Sequence, residues 1–73
     1  MSEVIDTRGL SCPQPVLDTL RKIASMGSGE LEVLVDTDAA KENVSRAVQG
    51  KGWKVTSIVE EGGDEYRLKI SGG

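Results

Sequence analysis

Arg8-Gly9-Leu10-Ser11-Cys12-Pro13-Gln14-Pro15-Val16-Leu17 is the stretch on which the reading of this chain turns. Gly9 permits a tight turn, and both prolines suit the first turn of a helix, where an N–H would lack an intrahelical partner and φ is already close to helical. With Pro13 as the first helical residue, Cys12 is the N-cap and Pro15 the third helical position. The sulfur of Cys12, the only cysteine in the chain, then lies at the positive end of a helix dipole. That setting lowers a thiol pKa from about 8.5 and favours the thiolate, the nucleophilic form. A lone cysteine in a small domain can equally be a buried apolar residue. The loop between Gly9 and the prolines favours a thiol that is at least partly exposed. Arg8 adds positive charge nearby, points to solvent or pairs with Asp6.

Downstream, Val16, Leu17, Leu20, Ile23 and Ala24 recur at three- and four-residue spacing, with Asp18, Thr19, Arg21 and Lys22 on other faces, which predicts an amphipathic helix. It ends near Met26, ahead of Gly27-Ser28-Gly29. Upstream, Val4-Ile5 reads as a short strand feeding the turn. Leu31, Val33 and Val35 alternate with Glu30, Glu32 and Leu34, the period of a strand with one buried face. Asp38 is then a candidate N-cap for a second helix that carries Ala40, Val44, Ala47 and Val48 on one face and ends at Gly50 and Gly52. Val55 to Val59 and Tyr66 to Ile70 read as two strands joined through Glu60-Glu61-Gly62-Gly63-Asp64-Glu65. The order is βαβαββ. Parallel strands joined through helices cross over right-handedly, which puts both helices on one face of a four-stranded mixed sheet, an α/β (α+β) two-layer sandwich.

The chain has 73 residues, a net charge of −3, no histidine and no phenylalanine. One domain, residues 1–73, is expected, with a thin core and little room for an internal cavity, so any chemistry falls at the surface. A single cysteine makes no internal disulfide, and no apolar run reaches the length of a signal peptide or membrane helix; a cytoplasmic location is expected, with no membrane partner. Acidic balance argues against nucleic acid, and Arg21-Lys22 is the only adjacent basic pair. Asp36 and Asp38 could be read as a metal site, but capping explains Asp38 better, and neither a metal nor a cofactor is expected. Trp53 and Tyr66 are expected as partial core residues rather than a stacking platform. Gly72-Gly73 admits two readings. A terminal thiocarboxylate of the ubiquitin-like carriers is disfavoured by the order of elements; a frayed tail, or a cut before a further domain, is preferred.

The run Asp6-Thr7-Arg8-Gly9-Leu10-Ser11-Cys12-Pro13-Gln14-Pro15-Val16 resembles the Cys-Pro-x-Pro signature of the TusA/SirA/YedF family of sulfur carriers and sulfurtransferase-like proteins. Val35-Asp36-Thr37-Asp38-Ala39-Ala40-Lys41-Glu42-Asn43-Val44, with Trp53 after a glycine, resembles most the YedF-like branch associated with selenium metabolism. The resemblance implies that Cys12 carries a persulfide and passes its sulfur to a partner protein. Gly9, Pro13 and Pro15 would support the motif, and Arg8 and Gln14 are candidates for partner binding. The implied partners are a protein sulfur donor, a cysteine desulfurase or rhodanese-like protein, and a protein acceptor, the chain itself being a monomer when free. One cysteine suffices for such a relay. A dithiol oxidoreductase needs a second, resolving cysteine, and cysteine hydrolases usually need a histidine base. Two alternatives stay open: a non-catalytic interaction domain in which the Cys12 loop is a docking surface, and a selenium-handling protein of the YedF type.

Overall fold

The computed structural model describes residues 2–10 and 13–73, so the reading of Cys12 as an exposed thiol lies outside the described residues, while the N-cap place expected for it is taken by Pro13. The elements follow the expected order: β1 (Ser2–Asp6), α1 (Gln14–Met26), β2 (Gly29–Val35), α2 (Asp38–Gly50), β3 (Lys54–Gly62) and β4 (Glu65–Gly72). The sheet runs β1-β2-β4-β3. β1 lies parallel to β2, and β4 is antiparallel to both β2 and β3. β2 and β3 therefore run the same way with β4 between them, and α2 spans β4 in crossing from one to the other. In consequence both helices start at the end of the sheet where β1 and β2 finish.

The alternation in β2 decides which face is covered. Leu31, Val33 and Val35 are buried under the helices, joined by Leu68 and Ile70 of β4, Ile23 of α1, and Ala40, Val44 and Val48 of α2. Full burial of such a side chain stabilises by about 1.5–3 kcal/mol. Glu32 and Arg67 occupy the opposite, open face, where their side chains pair at 2.8 Å. β3, an edge strand, carries register shifts between Val55 and Ser57 and between Glu60 and Gly62. Such irregularities blunt an edge against pairing with other chains.

The structure corrects several expectations of detail. The carbonyl of Pro13 accepts from Leu17 N at 3.0 Å, so Pro13 is the half-in N-cap residue and α1 begins one residue later than expected, with Pro15 at its second position. The buried stripe of α1 is Pro15, Thr19 and Ile23, whereas Leu17 is 45% exposed and Ala24 also faces solvent. Thr19 can be fully buried because its hydroxyl donates to the Pro15 carbonyl at 2.8 Å. At α2 the cap is Thr37, whose Oγ1 accepts from Ala40 N at 3.0 Å; Asp38 is the first helical residue. The β3–β4 turn is tighter than Glu60–Glu65, with Gly62 paired to Glu65.

Trp53 is a core residue, 5% exposed, and Tyr66 packs against the core while half-buried. Gly72-Gly73 is not a frayed tail. Gly72 pairs with Gly29 at the end of β4, and a Cβ there would stand 2.6 Å from Trp53 Cδ2. A side chain at Gly72 is incompatible with the indole in this position.

Candidate functional site

The motif segment leaves β1 through Thr7, which is buried although polar. Its N–H and hydroxyl both donate to the Leu34 carbonyl, at 2.9 and 2.6 Å, and this ties the loop to the end of β2. Leu10 N donates back to Thr7 O at 3.3 Å. Gly9 takes φ +83, a left-handed value that favours glycine, and its N–H donates to Asp36 Oδ2 at 2.7 Å. The turn is thus fixed to the following strand on both sides of Arg8.

Of the alternatives open for Arg8, the structure selects pairing with Asp6. Its Nε and Nη2 bind the two oxygens of Asp6 at 2.9 and 2.8 Å, and Nη1 reaches Glu65 at 3.1 Å. These hydrogen bonds hold the Asp6 carboxyl down at about 2 and raise the Arg8 guanidinium further. Arg8 remains exposed, but its charge is matched by two carboxylates. Gln14, the other candidate for partner binding, is half-buried and donates from Nε2 to Asp18 at 2.7 Å.

The helix starts differ. α1 has no side-chain hydrogen bond at its Pro13 cap and no acidic residue in its first turn, so its first-turn dipole is unopposed by a carboxylate. α2 is capped by Thr37 and carries Asp38 at its first position. Asp38 accepts from Tyr66 Oη at 2.7 Å and pairs with Lys41 at 3.3 Å, while the Lys41 ammonium sits 4.5 Å from the Tyr66 ring centroid. These hydrogen bonds lower the Asp38 carboxyl and push the Tyr66 phenol up to about 12. Asp36 and Asp38 therefore serve the Gly9 turn and Tyr66, and among the described residues no cluster is arranged to hold a metal ion.

Of the residues expected at the site, Arg8 and Gly9 stand on the loop that Asp36 and Thr7 anchor, and Pro13, Gln14 and Pro15 open α1. Cys12, one position before Pro13 in the chain, lies outside the described residues. Thr7 and Glu65 were missed, and Asp36 was weighed only as a metal ligand. Thr7 and Asp36 flank strand ends, a weak signal; Glu65 reaches Arg8 across 57 positions, which no local pattern discloses. The space around the motif is surface groove: an opening of about 300 Å³ between β1 and α1 is lined by Ile5, Thr7, Asp18, Arg21, Lys22 and Ser25 among others. Among the described residues no helix is long and apolar enough to cross a membrane.

Comparison with known proteins adds the following. The model of the family described as "Sulfurtransferase TusA" matches residues 3–72. A protein of Archaeoglobus fulgidus named "Putative sulfur carrier protein" is 37% identical over 70 residues, covering 94% of this chain and 80% of its own. A protein of the same name from Thermotoga maritima is 35% identical over 71 residues, covering 96% and 90%. The crystal structure of a SirA-like protein from Desulfitobacterium hafniense superposes with a TM-score of 0.88 at 29% identity, over 97% of each chain.

Proposed function

This chain belongs to the TusA family, and we propose that it is a sulfur carrier that accepts sulfur as a persulfide on Cys12 and relays it to a partner protein. In loading, the Cys12 thiolate attacks the terminal sulfur of a donor R–S–SH. The bond between the two donor sulfurs breaks, the donor leaves as R–S⁻, and Cys12–S–SH is formed with no net oxidation. Delivery is the same exchange onto an acceptor thiolate. One thiol is enough for both steps, and the chain has one.

The observation that carries this reading is the start of α1. It has neither a capping side chain on Pro13 nor a carboxylate in its first turn, and the sole cysteine precedes it by one residue in the chain beyond Pro13. A helix start of that kind favours an anionic neighbour, which a thiolate or ionised persulfide is. Gly9 is held by Asp36, and the fixed φ of the two prolines limits the backbone that follows the cysteine, which suits a cargo displayed rather than enclosed. A family of sulfur relays implies protein partners; a cysteine desulfurase or rhodanese-like donor fits the exchange.

Incubation with a cysteine desulfurase already carrying a persulfide tests the proposal. The protein gains the mass of one sulfur atom, mapped to Cys12 and removed by a thiol reductant, and the Cys12→Ser variant gains nothing. An adduct at Gly73 instead would mean a thiocarboxylate carrier. No adduct with several competent donors, with partner binding intact in Cys12→Ser, would leave an interaction domain. The YedF-like resemblance favours selenium as a second cargo, and the same mass measurement with a selenium donor distinguishes it.

A further inference from the structure

The topology sorts charge along the molecule. At the end where the helices start, the last residue of β1, the β2–α2 loop and the first residue of α2 place Asp6, Asp36 and Asp38. The β3–β4 connection, linked to the same end by Arg8–Glu65 and Tyr66–Asp38, adds Glu60, Glu61, Asp64 and Glu65. The cations there are already committed: Arg8 to Asp6 and Glu65, Lys41 to Asp38, Arg67 to Glu32 and Glu61. At the other end Lys51 follows α2 and Lys54 opens β3, both exposed. The overall charge of −3 is therefore concentrated at the motif end.

The same end exposes apolar surface. Leu10 is 40% and Leu17 45% exposed, and in sequence they bracket the Cys-Pro-x-Pro segment. Leu17 projects from α1 on the side away from the buried stripe of Pro15, Thr19 and Ile23. Exposed apolar side chains at an end whose net charge is negative suit a partner of the opposite charge, because complementary potentials steer encounter while an apolar contact slows release.

We propose that the end of the molecule carrying Leu10, Leu17 and the carboxylates of the β3–β4 turn docks onto a basic protein surface, one whose reactive cysteine is ringed by lysines and arginines. This rests on the relay function above and specifies the partner's chemistry. An exposed apolar residue on the partner would meet Leu17.

Disulfide exchange of the full chain with three short peptides tests the surface separately from sulfur carriage, since it needs only the Cys12 thiol. Each peptide holds Leu-Cys at its centre, flanked by Lys, Gln or Glu, with the cysteine joined to thionitrobenzoate. The Cys12 thiolate attacks the peptide sulfur, a mixed disulfide forms and yellow thionitrobenzoate anion leaves. The Lys peptide reacts fastest and the Glu peptide slowest, by about tenfold at low salt, and the ratio shrinks to about twofold near 0.3 M salt. Glu60→Lys with Asp64→Lys lowers the low-salt ratio to about threefold or less. Leu17→Ser slows the Lys peptide about threefold while leaving alkylation by neutral iodoacetamide unchanged. Equal rates for the three peptides, or a faster Glu peptide, overturn the proposal. Salt-dissociable oligomers in sedimentation at low salt would do so too, by giving the acidic end to the basic end of a second copy. Failure of persulfide loading with these peptide ratios intact would instead count against the relay alone.

Discussion

At the motif end of the sheet the chain is held by hydrogen bonds and ion pairs: Thr7 to Leu34, Gly9 to Asp36, Arg8 to Asp6 and Glu65. At the opposite end it is closed by packing, with Trp53 set against Gly72 and with Gly73 against Ser28 so tightly that neither glycine has room for a Cβ. The first arrangement fixes a backbone while leaving its surroundings wet. The second buries Trp53 and leaves no room for a Cβ at Gly72 or Gly73. In a chain of this size, with one small core, stability is concentrated where apolar surface is removed from water, and a polar loop can be shaped for display with little loss of it. The comparison sets packing at one end against polar anchoring at the other, which in the proposed relay would be the end that presents the cargo.

The strongest way to break that contrast is Gly72→Ala. The new methyl group meets the indole of Trp53, and overpacking of this kind costs about 1–3 kcal/mol. Urea midpoints should fall accordingly, while alkylation of Cys12 in the folded protein keeps its rate. A Gly72→Ala variant as stable as the parent would show that the packed end is slack.

Next in size is the contrast between the helix starts. Thr37→Ala removes the Oγ1 acceptor for Ala40 N and should cost about 1 kcal/mol, a cap's usual worth. Pro13→Ala, at a cap that makes no side-chain hydrogen bond, should change stability by less than about 0.5 kcal/mol. Equal losses from the two would erase the difference between a sealed helix start and an open one.

A smaller effect, on reactivity rather than stability, is expected from Gln14→Glu. It places a carboxylate in the first turn of α1, opposes a thiolate near that helix end, and should slow alkylation of Cys12 near neutral pH about threefold. An unchanged pH profile of alkylation would disconnect Cys12 from the α1 dipole.

Titration gives the finest test. Tyr66 is the only tyrosine, so its ultraviolet titration is unambiguous: the hydrogen bond to Asp38 puts its midpoint at about 12, and Asp38→Asn should return it toward 10. Because the folded value lies above the unfolded one, the contribution of this contact is present below pH 10 and is lost as pH rises to about 12. Asp6 has the opposite sign. Its folded value of about 2 lies below the ordinary 3.8, so the Arg8 pair supports the fold above about pH 4 and is lost as pH falls toward 2. The group is exposed, so the effect is small. Asp6→Asn should flatten the acid limb of stability over that window, and a limb of unchanged slope would remove the pair from the account.

The order of elements was legible because it rests on local physics. The alternation of Leu31, Val33 and Val35, the three- and four-residue spacing after Pro13 and the glycines after Met26 each name an element without reference to the rest of the chain, and they fix βαβαββ. The Cys-Pro-x-Pro segment likewise marked the motif end before any fold was known. The fine assignment failed where two local solutions were close in energy. Thr37 and Asp38 are both good caps, and Thr37 took that place while Asp38 turned to Tyr66 of β4. Thr19 reads as polar until its hydroxyl finds the Pro15 carbonyl, and Leu17 reads as core until the stripe of Pro15, Thr19 and Ile23 is buried instead.

By itself, then, the sequence determined the elements and their order, and it puts the single cysteine next to Pro13 in the chain, since each follows from residues within a turn or two of one another. Only the tertiary structure decided that Arg8 is paired with Glu65, that Asp36 holds Gly9 and that Gly72 makes room for Trp53. Those contacts join residues far apart in the chain. The first two exist because parallel β1 and β2 bring their ends together beside both helix starts, and the third because β4 returns to the far end of the sheet beside Trp53, arrangements that belong to the sheet and to no single segment.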